Sequence, residues 1–136
     1  MGLPHDPAPV MTVVAVTHRP TILARDIVDV LSALWDMPEF DRTEPFDFDV
    51  FTNFYATEMG KGLRKWLVAF DSPASPGDLA RQKLETNTAE LRWADERGCR
   101  QVNIDVGYLA KGSLVLASTK PAAHRIYLAD GMYAEV

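Results

Sequence analysis

The run MTVVAVTH, from Met11 to His18, limits the possible folds of this chain more than any other stretch. It is almost continuously apolar and rich in valine, which is the pattern of a strand covered on both faces. The 136 residues are enough for one domain with a modest core. The first ten residues contain three prolines and show no periodicity. We therefore predict a flexible arm over residues 1–10 and a single globular domain over residues 11–136.

Two amphipathic helices and three more strands are predicted from the patterns that follow. After Arg19-Pro20, apolar residues recur at the spacing of one helix face as far as Met37-Pro38. The segment SPGD has the form of a helix start, so a second helix is predicted from Ser75 to about Arg97. Alternating or continuous apolar runs predict the strands 46–50, 66–70 and 101–106.

The end of the chain is predicted to form a hairpin from HRIYLA and MYAEV, which are joined by Asp130-Gly131. Before it, residues 109–119 are predicted as a short helix, with a strand over LVLAS as the alternative. The order β-α-β-β-α-β followed by a hairpin predicts an α+β fold. Specifically, we expect a ferredoxin-like α/β sandwich, an antiparallel sheet with two main helices on one face and an extra C-terminal hairpin.

Polar side chains alternate with apolar ones along the last strands of this sheet. Because successive side chains of a strand point to opposite faces, Asn103 and Asp105 face away from the helices if Ile104 faces them. A solvated outer face is one interpretation, but the mixture of carboxylate, amide, guanidinium and phenol also suits a small polar ligand. The same parity places Arg125, Tyr127, Tyr133 and Glu135 outward, and Ile126, Leu128, Met132, Ala134 and Val136 inward.

The apolar stripe predicted for the second helix also carries polar side chains. Lys83 and Asn87 lie beside or within it, and a polar group on the buried side of a helix needs a partner. The alternative is that Asn87 only ties the helix to nearby backbone. The predicted stripe consists of Ala80, Leu84, Leu91 and Ala94.

Composition and motifs exclude several classes of partner. The net charge of −5 opposes nucleic-acid binding, which requires a basic surface. No apolar run is long enough to span a membrane, and the start of the chain lacks the pattern of a secretion signal. The one cysteine, Cys99, rules out an internal disulfide and fits the cytoplasm, where we expect the protein to act.

Cofactor motifs are missing as well. The segment EMGKGLRK is not a nucleoside-triphosphate P-loop, and no Cys/His spacing suits structural zinc. The three histidines lie too far apart along the chain for a local metal motif. A divalent metal on Asp105, Glu58 and Glu135 is compatible with the sequence, although no spacing requires it.

Six ordered blocks carry a family resemblance. YATEMGKGL, KLETN, VNIDVGYL, STK, HRIYL and GMYAEV resemble the motifs of the domain-of-unknown-function family numbered 4416, over roughly Tyr55–Val136. The resemblance implies no particular activity. The positions that match its motifs are Tyr55, Glu58, Lys83, Asn87, Asn103, Asp105, Tyr108, Lys120, His124 and Arg125.

The chain departs from the family pattern at two places. Val106 stands where the pattern has proline, which predicts a looser turn after Asp105. The chain also ends at Val136, whereas members of the family usually continue past this strand. We expect a missing tail to leave the polar cluster more open.

Three kinds of function are compatible with these residues. The first, which the residue types favour, is a small-molecule enzyme that acts on a phosphate- or carboxylate-bearing substrate by acid–base or electrostatic catalysis. The second is a non-catalytic small-ligand-binding or regulatory module that uses the same pocket. The third is an interaction protein that forms a homodimer through a sheet edge or the uncovered face.

For the enzyme, Asp105, His124 and Lys83 are the predicted catalytic residues. His124 would move a proton near neutral pH, with Asp105 orienting it or acting as the base. Lys83 would help to hold a phosphate or carboxylate. The predicted ligand-binding residues are Tyr55, Glu58, Asn87, Asn103, Tyr108, Lys120, Arg125 and Tyr127.

Overall fold

β1, the valine-rich run, lies inside an antiparallel sheet in a computed structural model that describes residues 1–52 and 54–136. Eight strands form this sheet within the described residues. The strands are β1 (Val10–His18), β2 (Glu39–Arg42), β3 (Phe46–Asp47), β4 (Arg64–Ala74), β5 (Val102–Ala110), β6 (Ser113–Ser118), β7 (Ile126–Ala129) and β8 (Met132–Glu135). The helices are α1 (Ala24–Trp35), α2 (Ala56–Met59) and α3 (Leu79–Glu90).

The spatial order of the strands is β2-β4-β1-β5-β6-β8-β7, and β3 also pairs with β4. β1 hydrogen-bonds to β4 on one side and to β5 on the other. Val14 and Val16 are fully buried on one face, and Ala15 and Thr17 are nearly so on the other. The prediction of a strand covered on both faces is therefore confirmed.

One face of the sheet packs against α1 and α3 to form the core. Ile27 and Leu31 of α1 and Leu79 of α3 contact the same cluster as Trp66 and Ile104 of the sheet. The mixed α/β class, the antiparallel sheet and the closing hairpin are confirmed.

The strand predicted over 46–50 is mostly wrong, because the chain turns after Asp47. The Asp47 side chain accepts a hydrogen bond from the Asp49 backbone, which starts a 3-10 turn over Phe48–Val50. The carboxylate of Asp49 in turn accepts from the backbone amides of Gly62 and Leu63. These bonds take the place of a strand ladder.

The helix predicted over 109–119 is also wrong, and the strand alternative is right. β5 continues without a turn after Asp105, so the looser turn predicted there is absent as well. A hairpin then leads to β6 through Gly112, whose φ of 88° favours glycine. Along β6 the burial alternates, with Val115 and Ala117 buried.

The two main helices are shorter than predicted. α1 begins at Ala24 and ends at Trp35, where Asp36 adopts a left-handed conformation. α3 ends at Glu90 and passes into a 3-10 turn, well before Arg97. None of the helices formed by the described residues is long and apolar enough to cross a membrane.

The closing hairpin forms as predicted, but β7 faces solvent on both sides. Met132 and Ala134 of β8 are buried, whereas Ile126 and Leu128 of β7 are exposed. Their predicted inward orientation is wrong because β7 is the last strand of the sheet and no element among residues 1–52 and 54–136 covers it. Val136, which follows β8, is exposed too.

Candidate functional site

α3 lies along an edge of β5 that no strand covers. β6 pairs with β5 only from Gly107 to Ala110, so within the described chain the first half of β5 has no strand beside it on that side. There the Ile104 amide donates to the Glu90 carboxylate at 2.8 Å, and the Ile104 carbonyl accepts from Lys83 Nζ at 2.9 Å. Side chains of α3 thus satisfy backbone groups that a neighbouring strand would otherwise satisfy.

This arrangement explains why only part of the predicted apolar stripe of the second helix is right: Ala80 is buried as predicted. Leu84 and Leu91 are exposed. The buried side of the helix carries polar groups because it faces open backbone as well as core. The buried residues of α3 are Leu79, Ala80, Gln82, Lys83, Thr86, Ala89 and Glu90.

Gly107 marks the point at which β5 and β6 separate. A Cβ atom there would lie 2.3 Å from the Val115 carbonyl oxygen and 3.2 Å from Leu116 Cα. The two strands can approach this closely only because position 107 has no side chain. On the N-terminal side of Gly107 the ladder between β5 and β6 ends, and the two strands diverge.

A pocket of about 530 Å³ opens between the diverging strands. Its walls come from β1, β4, β5, β6, β8 and α3, and from the segments that contain residues 54–55, 100 and 119–125. The lining residues are Ala15, Phe54, Tyr55, Lys65, Lys83, Asn87, Glu90, Arg100, Asn103, Asp105, Leu116, Ala117, Ser118, Thr119, Lys120, Arg125 and Glu135.

A buried ion pair lies in the wall between α3 and β5. Lys83 Nζ is 3.0 Å from Asp105 Oδ1, and Asn103 Nδ2 donates to Asp105 Oδ2 at 2.9 Å. The Lys83 side chain is only 6% exposed, whereas that of Asp105 is 34% exposed. The ammonium is therefore held in the protein while the carboxylate stays accessible from the pocket.

Arg100 holds Glu58 and Asn103 in place beside the Lys83–Asp105 pair. Its Nε and one terminal nitrogen donate to the two oxygens of Glu58 at 2.8 and 2.9 Å, and the other terminal nitrogen donates to Asn103 Oδ1 at 2.7 Å. The hydrogen bonds from Arg100 hold the pKa of Glu58 below its ordinary value, and the bond with Glu58 raises the pKa of Arg100. Both groups stay charged and orient the Asn103 amide.

For two other titratable groups in the wall, the pKa is shifted in the direction that favours the neutral form. Burial raises the pKa of Glu90, although the Ile104 amide and nearby Lys83 act against it. Burial, and then the negative charge of Asp105, raise the pKa of the Tyr55 phenol. Tyr55 is therefore a neutral hydrogen-bond donor in this wall.

At the mouth, an ion pair holds the segment 118–125 against β8. Arg125 contacts one oxygen of Glu135 through two nitrogens, at 2.9 and 3.0 Å, and its third nitrogen donates to the Lys120 carbonyl at 2.8 Å. The ammonium of Lys120 lies 4.8 Å from the centre of the Phe54 ring.

The net charge of the pocket lining has the opposite sign to the net charge of the whole protein. Five lysine and arginine side chains face three carboxylates in the pocket, whereas the whole chain carries −5. Lys65 and Lys120 have no carboxylate partner among the described residues. The pocket thus carries a local excess of positive charge in a protein whose net charge is negative.

The family model described as Domain of unknown function (DUF4416) matches residues 7–136. The chain belongs to the DUF4416 family. The match extends well beyond the Tyr55–Val136 region of the sequence blocks and covers nearly the whole chain. No curated protein and no solved structure matches this DUF4416 chain.

Most of the side chains predicted for a site in this DUF4416 chain line the pocket between β5 and β6. Glu58 lies beside it and acts on it through Arg100. Arg100 itself was missed, because the only signal in the sequence was that a carboxylate at position 58 would need a partner. The predicted site residues in the lining are Tyr55, Lys83, Asn87, Asn103, Asp105, Lys120 and Arg125.

Besides Glu58, three predicted site residues lie outside the lining. His124 is largely exposed, with Nε2 3.3 Å from Glu135. Tyr108 shares the parity of Ile104 and packs against the core. Tyr127 is on the edge strand β7 and stacks edge-on against Tyr133, with ring centres 5.4 Å apart.

The carboxylates considered for a divalent metal each pair with a cationic side chain instead. Asp105 binds Lys83, Glu58 binds Arg100, and Glu135 binds Arg125. Across residues 1–52 and 54–136, no group of three or more His, Cys, Asp or Glu side chains is arranged to hold a metal ion.

The departure from DUF4416 at position 106 has a simple backbone explanation. The N–H and C=O of Ile104 point away from β1, and in an antiparallel ladder those of Val106 point the same way. Proline at 106 would remove a donor that makes no bond to β1. Valine and proline are therefore both compatible with β5.

Proposed function

We propose that the pocket between β5 and β6 binds a small molecule that carries a phosphate or carboxylate, and that the Lys83–Asp105 pair acts on it by electrostatic and acid–base catalysis. The observation that carries this proposal is the buried ammonium of Lys83 beside an accessible carboxylate, in a pocket with surplus positive charge. A buried ion pair seldom adds to stability over an apolar pair of similar size. Its position in a pocket favours a role in chemistry.

The donors that would hold the anion are available. Lys83 uses two of its three N–H groups, on Ile104 and Asp105. Lys120 and Lys65 add mobile positive charge, and Thr119 and Asn87 add hydrogen-bond donors. Such a mixture fixes a phosphate or carboxylate by directional bonds and by charge.

For catalysis, Asp105 is the proposed base and Lys83 the proposed electrostatic partner. Both Asp105 oxygens accept one bond from the protein, so each retains a lone pair for a proton of the substrate. Lys83 would stabilise negative charge that develops nearby, and its position is set before the substrate arrives. His124 has no part in this version of the mechanism because it lies outside the lining.

Anion binding is tested by NMR titration of the protein with inorganic phosphate and with acetate at constant ionic strength. We expect the backbone amides of Asn103, Ser118 and Lys120 to shift, and Lys120→Gln and Lys83→Met to weaken the binding. Lys111→Gln, which removes an exposed lysine from the β5–β6 turn, is the matched control. Equal binding by all variants, or no binding at all, would contradict the proposal.

Catalysis is tested on compounds that stabilise the protein in a thermal-shift screen of phosphate- and carboxylate-bearing metabolites. Turnover of each hit is then followed by NMR. We expect Asp105→Asn to bind a hit but to lose turnover. Hits that are bound and never converted would favour the second candidate, a non-catalytic binding module. That candidate draws support from the absence of histidine in the described lining.

We also infer three finer features that remain predictions. The order β5-β1-β4-β2 with two helices on one face supports a ferredoxin-like core. The exposed edge of β7 supports a homodimer, which sedimentation would detect. The free thiol of Cys99 is compatible with the cytoplasm.

A further inference from the structure

We propose that the ligand of this pocket carries its phosphate or carboxylate on an aromatic ring. This inference rests on the proposed function and names the class of molecule that the pocket takes. It follows from the two aromatic rings of the lining, Phe54 and Tyr55, and from their geometry.

The lining has an apolar part beside its charged groups. Ala15, Leu116 and Ala117 come from the strands, and Phe54 and Tyr55 come from the segment before α2. The two kinds of group are neighbours, since Ala15 lies directly across from Asp105 in the ladder between β1 and β5. A ligand that contacts both kinds of group has a charged part and an apolar part.

The arrangement of the two aromatic rings in the lining favours a flat group on the ligand. The rings of Phe54 and Tyr55 are 5.1 Å apart and nearly perpendicular, at 89°. A third ring placed in the corner between them would stack on one ring and meet the other edge to face, which are the favoured aromatic geometries. Ala15 and Ala117 line the same pocket, and their small side chains leave room in it for a ring.

Phe54 is 66% exposed, which is unusual for a large apolar side chain in a pocket wall. The ammonium of Lys120 lies 4.8 Å from the centre of its ring. An anion in the pocket attracts that ammonium more strongly than the ring does, since a full negative charge replaces a quadrupole. Binding of the anionic group would therefore free the face of Phe54 for the ring of the same ligand.

The test compares affinities within two matched series, measured by NMR titration or calorimetry at constant ionic strength. The first series is inorganic phosphate and phenyl phosphate, and the second is acetate, cyclohexanecarboxylate and benzoate. We expect the aromatic member of each series to bind on the order of tenfold more tightly than the bare anion. Benzoate should also bind more tightly than cyclohexanecarboxylate. The series with the higher affinities shows whether the anionic group is a phosphate or a carboxylate.

Two variants test whether Phe54 is responsible for the preference for an aromatic ring. Phe54→Ala should remove most of the aromatic preference while inorganic phosphate and acetate bind as before. Phe51→Ala, which removes another exposed phenylalanine outside the lining, should leave the preference unchanged. Binding of the bare anions without any preference for the ring would overturn this inference and leave the proposed function intact. Failure of every compound to bind would overturn both.

Discussion

His18, at the end of β1, is a buried imidazole with one satisfied nitrogen. Its Nδ1 donates to the Arg19 carbonyl at 2.8 Å, while Nε2 is buried and has no hydrogen-bond partner among the described residues. The ring packs edge-on against Trp66, with centres 6.0 Å apart. Burial lowers the pKa of His18, and the charge of Arg64 lowers it further.

The lowered pKa predicts a stability that falls on mild acidification. Between the folded pKa and the unfolded value of 6.5, the unfolded chain binds more protons than the folded one, so the free energy of unfolding falls as the pH drops through this window. We expect His18→Gln to flatten the pH dependence of the free energy of unfolding between about pH 7.5 and 5.5. Denaturation at several pH values measures the slope. His5→Gln, in the exposed arm before β1, should keep the wild-type slope, and a flat wild-type curve would contradict the prediction.

The Lys83–Asp105 pair should respond asymmetrically to the loss of either partner. Asp105→Asn leaves a buried ammonium without its counter-charge and should lower the free energy of unfolding by about 1.5–3 kcal/mol. Lys83→Met leaves a carboxylate that is partly exposed and still bonded to Asn103, so its effect should be smaller.

The double variant, Lys83→Met with Asp105→Asn, decides whether the pair is coupled. It should be more stable than the sum of the single changes predicts. Chemical denaturation of the four proteins gives the coupling energy. Strict additivity would mean that the pair contributes nothing as a pair.

At the scale of elements, side chains of α3 make hydrogen bonds to the β5 backbone that a neighbouring strand would otherwise make. Glu90→Leu would bury the Ile104 amide without an acceptor and should lower the free energy of unfolding by about 1–3 kcal/mol. Glu90→Gln keeps a side-chain oxygen, and burial already disfavours the charge, so its effect should be much smaller. Hydrogen exchange at Ile104, with denaturation of both variants, checks this. Equal losses would show that the charge of Glu90 matters more than its bond.

The same edge marks where prediction from sequence succeeded and where it failed. The parity of Asn103 and Asp105 was predictable because side chains alternate strictly along a strand. The buried face of α3 was not, because apolar periodicity cannot indicate a helix whose neighbour is open backbone. Residues 109–119 were misassigned because a short apolar run fits a helix or a strand, and only the pairing with β5 decides. The role of Arg100 depends on a partner 42 residues away, which no local pattern reveals.

At the scale of the whole molecule, we expect the arm before β1 to contribute little to the free energy of unfolding. Residues 1–9 are exposed and belong to no helix or strand. We expect deletion of residues 1–9 to shift the melting temperature only slightly. A deletion that extends through Met11 also removes ladder pairs with β4 and β5, and it should lower the melting temperature clearly. A large effect of the shorter deletion would mean that the arm packs on the domain.

The central position of β1 has a consequence for synthesis on the ribosome. β1 emerges first, yet its partners follow much later: His18 pairs with Arg64 and then with Val102. Until β5 has left the ribosome, a valine-rich strand has an unsatisfied edge and can pair with other nascent chains. The nascent protein should therefore depend on chaperones mainly while the segment between β1 and β5 is being made.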